Sequence, residues 1–286
     1  MKESPSPEQP NWLDEHPKAR WLATSRTTGL FSVAFVLVVI ALVVVVIVHG
    51  RISGDDHPAA APQTTTAPPE SSASPQPDPG GSGFGVSIAD PFGREIAVPL
   101  NPQGQILPQS DPGERPPYDK NTPAPAPLGV KWQKIGATAA PFSTSDGPTR
   151  IEGSYATGYA HTPQGAALAG WQIFARMLRS ADDTREGYRN HAVGTPGLIE
   201  SKLAELDASN DPNFVSHKLM FFPEAFRITS YSDDFAVIHY AIPRGNNQWV
   251  QLQQSTTWAD GDWKITATAV NVALPDISSL VGMTRW

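Results

Sequence analysis

No cysteine occurs among the 286 residues, which excludes a disulfide scaffold, a thiolate metal site and a cysteine nucleophile. Charge is sparse as well: charged residues make up 17%, the formal net charge is −7, and no basic block exists. Nucleic-acid binders draw their affinity mainly from neutralised phosphates, so no nucleic-acid partner is expected. The usual catalytic patterns are also missing. No serine sits in G-x-S-x-G, no histidine pair has chelating spacing, and PGGSGFG lacks the order of a phosphate loop. No catalytic residue, metal or cofactor is therefore expected, and the chain reads as a non-enzyme.

What the chain does have is one long apolar run. Residues 29–48 (GLFSVAFVLVVIALVVVVIV) carry no charge. Twenty residues at helical rise span about 30 Å, the thickness of a bilayer core. A cleaved signal peptide would be shorter and followed by small residues, whereas this run ends in His49-Gly50-Arg51. The pattern predicts a single transmembrane helix, a signal anchor over 29–49. Lys18, Arg20 and Arg26 precede it and only Arg51 follows closely. That bias places the tail 1–28 in the cytoplasm and the rest outside, giving a single-pass protein of the cell membrane with an extracytoplasmic C-terminal domain.

Proline is concentrated just beyond that run: 17 of the 29 prolines lie between Gly50 and Pro127. Such composition does not bury enough apolar surface to offset chain entropy, so 50–127 reads as a disordered Pro/Ser/Gly-rich linker. One island, 84–107, alternates apolar residues around Asp90-Pro91-Phe92-Gly93 and predicts a small hairpin that either docks or stays loose.

From Leu128 the chain gains aromatics and periodicity, predicting a domain over 128–286. Thr162-Pro163 opens a helix, with threonine as N-cap and proline at the first turn. Leu168, Trp171, Phe174 and Leu178 form one stripe, and Ala166, Ala169, Ile173 and Met177 a second. Gln172, Arg176 and Arg179 form the narrow polar remainder, so this helix must be wrapped by other elements. Shorter helices are expected at 184–191 and 196–208. Four alternating segments then predict strands at 225–231, 235–242, 248–258 and 262–270, joined by short turns such as Asp260-Gly261. The expected class is α+β: a cone-like domain with a long N-terminal helix packed on a curved antiparallel sheet.

Candidate site residues are few. Trp171, Trp249, Trp258 and Trp263 read mainly as core, but Trp249 shares a strand face with Gln251 and Gln253. Trp249, Gln251 and Gln253 form the candidate protein-binding surface, since aromatics are enriched in interface hot spots. His239, alternating with Val237 and Ala241, reads as a structural histidine or a pocket residue. His161, just before the helix cap, reads as a backbone-bonding or pocket residue. His191, His217 and Glu224 carry no pattern. Asp233, Asp234, Asp260 and Asp262 belong to turns, where acids are expected for local reasons.

An N-in anchor, a long linker and a helices-then-meander domain ending in WADGDWKI resemble the nuclear-transport-factor-2-like cone fold. In architecture the chain is similar to the bitopic scaffold subunit of type IV secretion systems and to membrane proteins associated with mycobacterial lipid importers. The run PFSTSDGPTRIEGSYATGYAHTPQGAALAG (141–170), above all GYAHTPQGA (158–166), resembles an actinobacterial domain family of unknown function associated with integrative conjugative elements. The resemblance implies a membrane-anchored scaffold or assembly subunit of a conjugative or type IV-like envelope transport machine. Its partners would be other envelope transport proteins, with homo-oligomerisation open. The alternative it implies is a ligand-binding accessory protein of a lipid importer, using a pocket in the cone.

Overall fold

The computed structural model describes residues 82–209, 222–268 and 272–286, all within one compact unit, Asp56–Trp286. Antiparallel hairpins come first. β1 (Ile88–Ala89) and β2 (Glu95–Ile96) flank a turn in which the Asp90 carboxylate accepts the Phe92 and Arg94 backbone N–H groups, at 2.9 and 2.8 Å. An aspartate bonding the backbone two residues on is the local reason that turn closes. β3 (Lys131–Ile135) pairs with β4 (Thr138–Phe142), and β5 (Arg150–Glu152) with β6 (Tyr155–Thr157). Ala97, just past β2, bridges in parallel to Gln133 of β3.

Three helices follow: α1 (Pro163–Met177), α2 (Ala181–Asn190) and α3 (Pro196–Ser209). At the start of α1 the Thr162 hydroxyl accepts the Gly165 N–H at 3.0 Å, and Pro163 occupies the first turn, where no N–H is needed. β7 (Ala192–Val193) lies between α2 and α3 and pairs in parallel with a later strand. The chain then forms a meander, β8 (Ala225–Ser232), β9 (Phe235–Gly245), β10 (Gln248–Ala259) and β11 (Asp262–Thr266), and ends with β12 (Val272–Ile277) and β13 (Thr284–Arg285). The sheet order is β13-β8-β9-β10-β11-β7, with β12 taking the first half of the β10 edge that β11 leaves open.

α1 lies between β4 and the sheet, and every residue from Gln164 to Met177 is buried. On one side Trp171 Nε1 donates to the Ala139 carbonyl at 3.2 Å and Gln172 Nε2 to Pro141 at 2.8 Å. On the other, the Tyr240 hydroxyl donates to the Ala167 carbonyl at 2.6 Å. Gly170 permits this approach, since a Cβ there would lie 2.6 Å from that hydroxyl. Trp132, Trp171, Phe226, Tyr240 and Trp286 join through ring contacts into one aromatic interior. Each such side chain contributes about 1.5–3 kcal/mol by leaving water.

Several expectations are corrected. The described chain is mostly sheet with three short helices, and no long N-terminal helix packs on a curved sheet: the longest helix has 15 residues and follows six strands. Its length is set by Ser180, whose hydroxyl accepts the Asp183 N–H and starts α2 afresh. The membrane, single-pass and signal-anchor reading gains no helix either. Among the described residues none is long and apolar enough to cross a membrane, and the segment 29–49 itself lies outside them.

The part of the proposed linker that is described, 82–127, packs against the domain. Gln105 and Gln133 exchange hydrogen bonds, Arg115 pairs with Asp146, the Tyr118 ring meets Tyr231 at a tilt, and the Pro125 carbonyl accepts from Gln164. Poor composition prevents a segment from building its own core, but not from borrowing one.

Candidate functional site

Trp249 does lie on the outer face of the sheet with Gln251 and Gln253, but it is not exposed. Only 7% accessible, it packs with Ala225 and Ala241 under Ile277, Leu280 and Met283 of the C-terminal segment. Its indole N–H donates to Glu224 at 2.7 Å. The reading of Trp249 as a surface anchor is therefore corrected: the chain covers it with its own C-terminal residues. Gln251 and Gln253 remain half-buried beyond that cover. His239 is beside them, with Nε2 3.1 Å from Gln253 Oε1, and burial holds its pKa below the ordinary value. Arg227, His239, Gln253 and Val272 are register neighbours across β8, β9, β10 and β12, forming one row over the sheet.

His161 is exposed but committed. Its ring stacks on Trp258 at 3.9 Å and 8°, and its Nε2–H donates to the Asp233 carbonyl. The structure does not bring it near His239, which lies on the outer sheet face. His217 is outside the described residues.

The segment 143–162 forms a clamp around two carboxylates. Buried Asp146 accepts from Arg115 Nη1 and Nη2, at 2.6 and 2.8 Å, from the Thr162 hydroxyl at 2.9 Å, and from Ser145. Asp262 accepts the backbone N–H groups of Gly158, Tyr159 and Trp263, at 2.7, 3.1 and 2.9 Å. Burial nevertheless raises its pKa, against the pull of those three donors.

Asp262 also lines a cleft of about 390 Å³ between the β5–β6 hairpin, the end of α2 and the β10–β11 turn. Arg150, Glu152, Glu186, His191, Asp260 and Lys264 complete its titratable lining. Arg150 is paired with Glu152, and Lys264 with Asp260. His191 stacks on Tyr155 at 4.1 Å and 15°. Burial, helped by Lys264 and Arg176, pushes its pKa down to about 4 and keeps the imidazole neutral. Among the described residues no carboxylate is hydrogen-bonded to that ring, and its orientation is set by the stack on Tyr155. No cluster of three potential metal ligands occurs among the described residues either. The arrangement is a polar recess whose two cations are each paired and whose lining carries an excess of carboxylates.

Sequence reasoning did not assemble this cleft, because its residues come from segments over a hundred positions apart and share no motif. The one local signal was Asp262, the acid next to the Asp260-Gly261 turn.

No curated protein and no solved structure matches the chain. A family match does exist, over residues 97–285, to a family described as a domain of unknown function, DUF8175. It begins within the segment that packs on the domain from its N-terminal side and runs to the last strand. The chain belongs to that family.

Proposed function

We propose that this domain is a non-enzymatic binding module, a scaffold or assembly subunit of a conjugative or type IV-like envelope transport machine. The observation that carries this reading is the row of Arg227, His239, Gln253 and Val272 across four strands. At the usual strand spacing it is about 14 Å wide, a mixed polar and apolar strip that suits a protein partner. His161, Asp146 and Asp262 each have partners within the fold that account for their presence without a ligand. The conjugative setting rests on the motif GYAHTPQGA. Placement outside the cytoplasm rests on the cations flanking the apolar run 29–48, sequence outside the described residues.

A photo-crosslinking residue at Gln253, in the protein expressed in its native envelope, tests this reading. Adducts with a channel subunit of the envelope machine are expected, and should disappear with Arg227→Glu. A purified protein that retains lipid, with no protein adduct at Gln253, would replace the scaffold with the lipid-import alternative.

A further inference from the structure

The recess beside Asp262 has a buried floor and an exposed rim. Ala156, Thr157, Asp262 and Trp263 are the buried part of its lining, whereas Glu152, Gly153, Asn190 and Asp260 are exposed. Four carboxylates, those of Glu152, Glu186, Asp260 and Asp262, stand against two cations, Arg150 and Lys264. Both cations are committed, Arg150 to Glu152 and Lys264 to Asp260. Glu186 has no ion-pair or hydrogen-bond partner among the described residues. Gly153 leaves it room, since a Cβ there would lie 3.2 Å from Glu186 Oε1.

A second observation comes from the floor. Thr157 is only 6% exposed, yet its hydroxyl completes no hydrogen bond. The nearby Glu152 carboxylate, held below its ordinary pKa first by Arg150, draws on that hydroxyl without completing a bond. A buried hydroxyl left unpaired is a cost that a donor-bearing ligand removes. His191 is neutral, so one of its ring nitrogens is an acceptor as well. The recess therefore offers carboxylates, a hydroxyl and an imidazole nitrogen as acceptors, and no uncommitted cation. Among the described residues these groups are not gathered closely enough to hold a metal ion. They suit a cation whose donors are spread apart: a guanidinium presents five N–H groups in a fixed plane, whereas an ammonium is a compact point charge.

We propose that this recess binds a guanidinium group, carried on an arginine side chain of a partner protein. The guanidinium donates to the unpaired Glu186 and reaches towards Asp262 and the Thr157 hydroxyl on the floor. It takes up the excess negative charge of the lining without displacing either ion pair already in place. A volume of about 390 Å³ is that of a small-molecule pocket, so a whole side chain enters and not only an ion. The exposed turns at Gly153 and Asp260-Gly261 leave room for the rest of the partner segment. The recess shares no residue with the row of Arg227, His239, Gln253 and Val272, so this inference does not depend on the scaffold reading.

Ligand-observed NMR on the full-length protein tests the site, with N-acetyl-arginine amide as the probe. The probe is expected to bind, and its uncharged isostere N-acetyl-citrulline amide is not. Glu186→Gln removes a charge that has no partner in the fold and should weaken the probe about tenfold, the loss of one charge-assisted hydrogen bond. Asp182→Asn makes the same charge change on the same helix but outside the recess, and should leave binding unchanged. Thr157→Val keeps the side-chain shape, so it should weaken the probe about threefold while leaving the fold at least as stable in denaturation. No binding of the probe, equal binding of the citrulline analogue, or an equal loss in Glu186→Gln and Asp182→Asn would overturn the inference. Free arginine should bind no more tightly than the amide; a preference for the free amino acid would overturn the assignment to a protein-borne side chain.

Discussion

Arg115→Ala decides whether 82–127 belongs to the folded unit. Arg115 joins that segment to Asp146 through two short hydrogen bonds, and the Asp146 side chain has no exposure while that of Arg115 keeps 16%. Removing one member of a buried pair costs about 3–5 kcal/mol when the other has nowhere to go. Asp146 would keep the Thr162 and Ser145 hydroxyls, so the expected loss is nearer 3 kcal/mol. Asp146→Ala costs a similar amount for a different reason: Arg115 escapes to water, but the link from the segment to the start of α1 is lost. In the double variant no buried charge is stranded, which gives a coupling of about 2 kcal/mol in the cycle. Urea denaturation followed by tryptophan fluorescence measures all four corners. A loss below about 0.5 kcal/mol for Arg115→Ala, with unchanged denaturant dependence, would refute the reasoning and return the segment to the status of a linker.

Three further outcomes follow from packing and protonation. Gly170→Ala gains up to about 1 kcal/mol of helix propensity but forces a methyl against Tyr240, and overpacking of that kind costs about 1–3 kcal/mol; a net loss in thermal denaturation is expected, relieved by Tyr240→Phe. Trp249→Ala should destabilise by about 3–5 kcal/mol, measured by denaturation, whereas an exposed interface anchor would leave stability untouched. His191 has a folded pKa of about 4 against an ordinary 6.5, so the unfolded chain takes up its proton first. Stability therefore falls as pH drops from 6.5 towards 4 and levels off below; His191→Phe, which keeps the stack on Tyr155, should flatten that limb in denaturation runs across the window.

The sheet was legible because its strands alternate between a filled interior and a half-covered outer face. Alternation starts β8, β9, β10 and β11 at the residues where they begin, but ends β8 and β10 one residue early, stops β9 short of Gly245, carries β11 past Thr266, and gives no sign of β7, β12 or β13. Caps were equally readable, since a cap is a property of three or four adjacent residues, as at Thr162. The long-range covers were not. Trp249 has the spacing of a surface residue, and only Ile277, Leu280 and Met283, folded back over it, make it core. Arg176 and Arg179 have the spacing of a solvated strip, yet Arg176 is fully buried, donating to the carbonyls of Ser154 at 2.6 Å and Gln103 at 2.7 Å. In both cases the partner lies far along the chain and leaves no periodic trace.

The same contrast bears on where binding is proposed. The run GYAHTPQGA is the most distinctive stretch of the sequence, and nearly every residue in it has a task within the fold. Gly158 and Tyr159 give their N–H groups to Asp262, and the Ala160 carbonyl accepts the Trp263 indole at 3.0 Å. His161 covers Trp258, Thr162 caps α1, Gln164 holds the Pro125 carbonyl at 2.9 Å, and a Cβ on Gly165 would strike the Ala160 carbonyl at 2.0 Å. A segment so fully engaged has little left to offer a partner. The row of Arg227, His239, Gln253 and Val272, proposed above as the binding surface, lies outside this motif. Substitutions in the motif should therefore act through stability, and those on the proposed row through binding at unchanged stability.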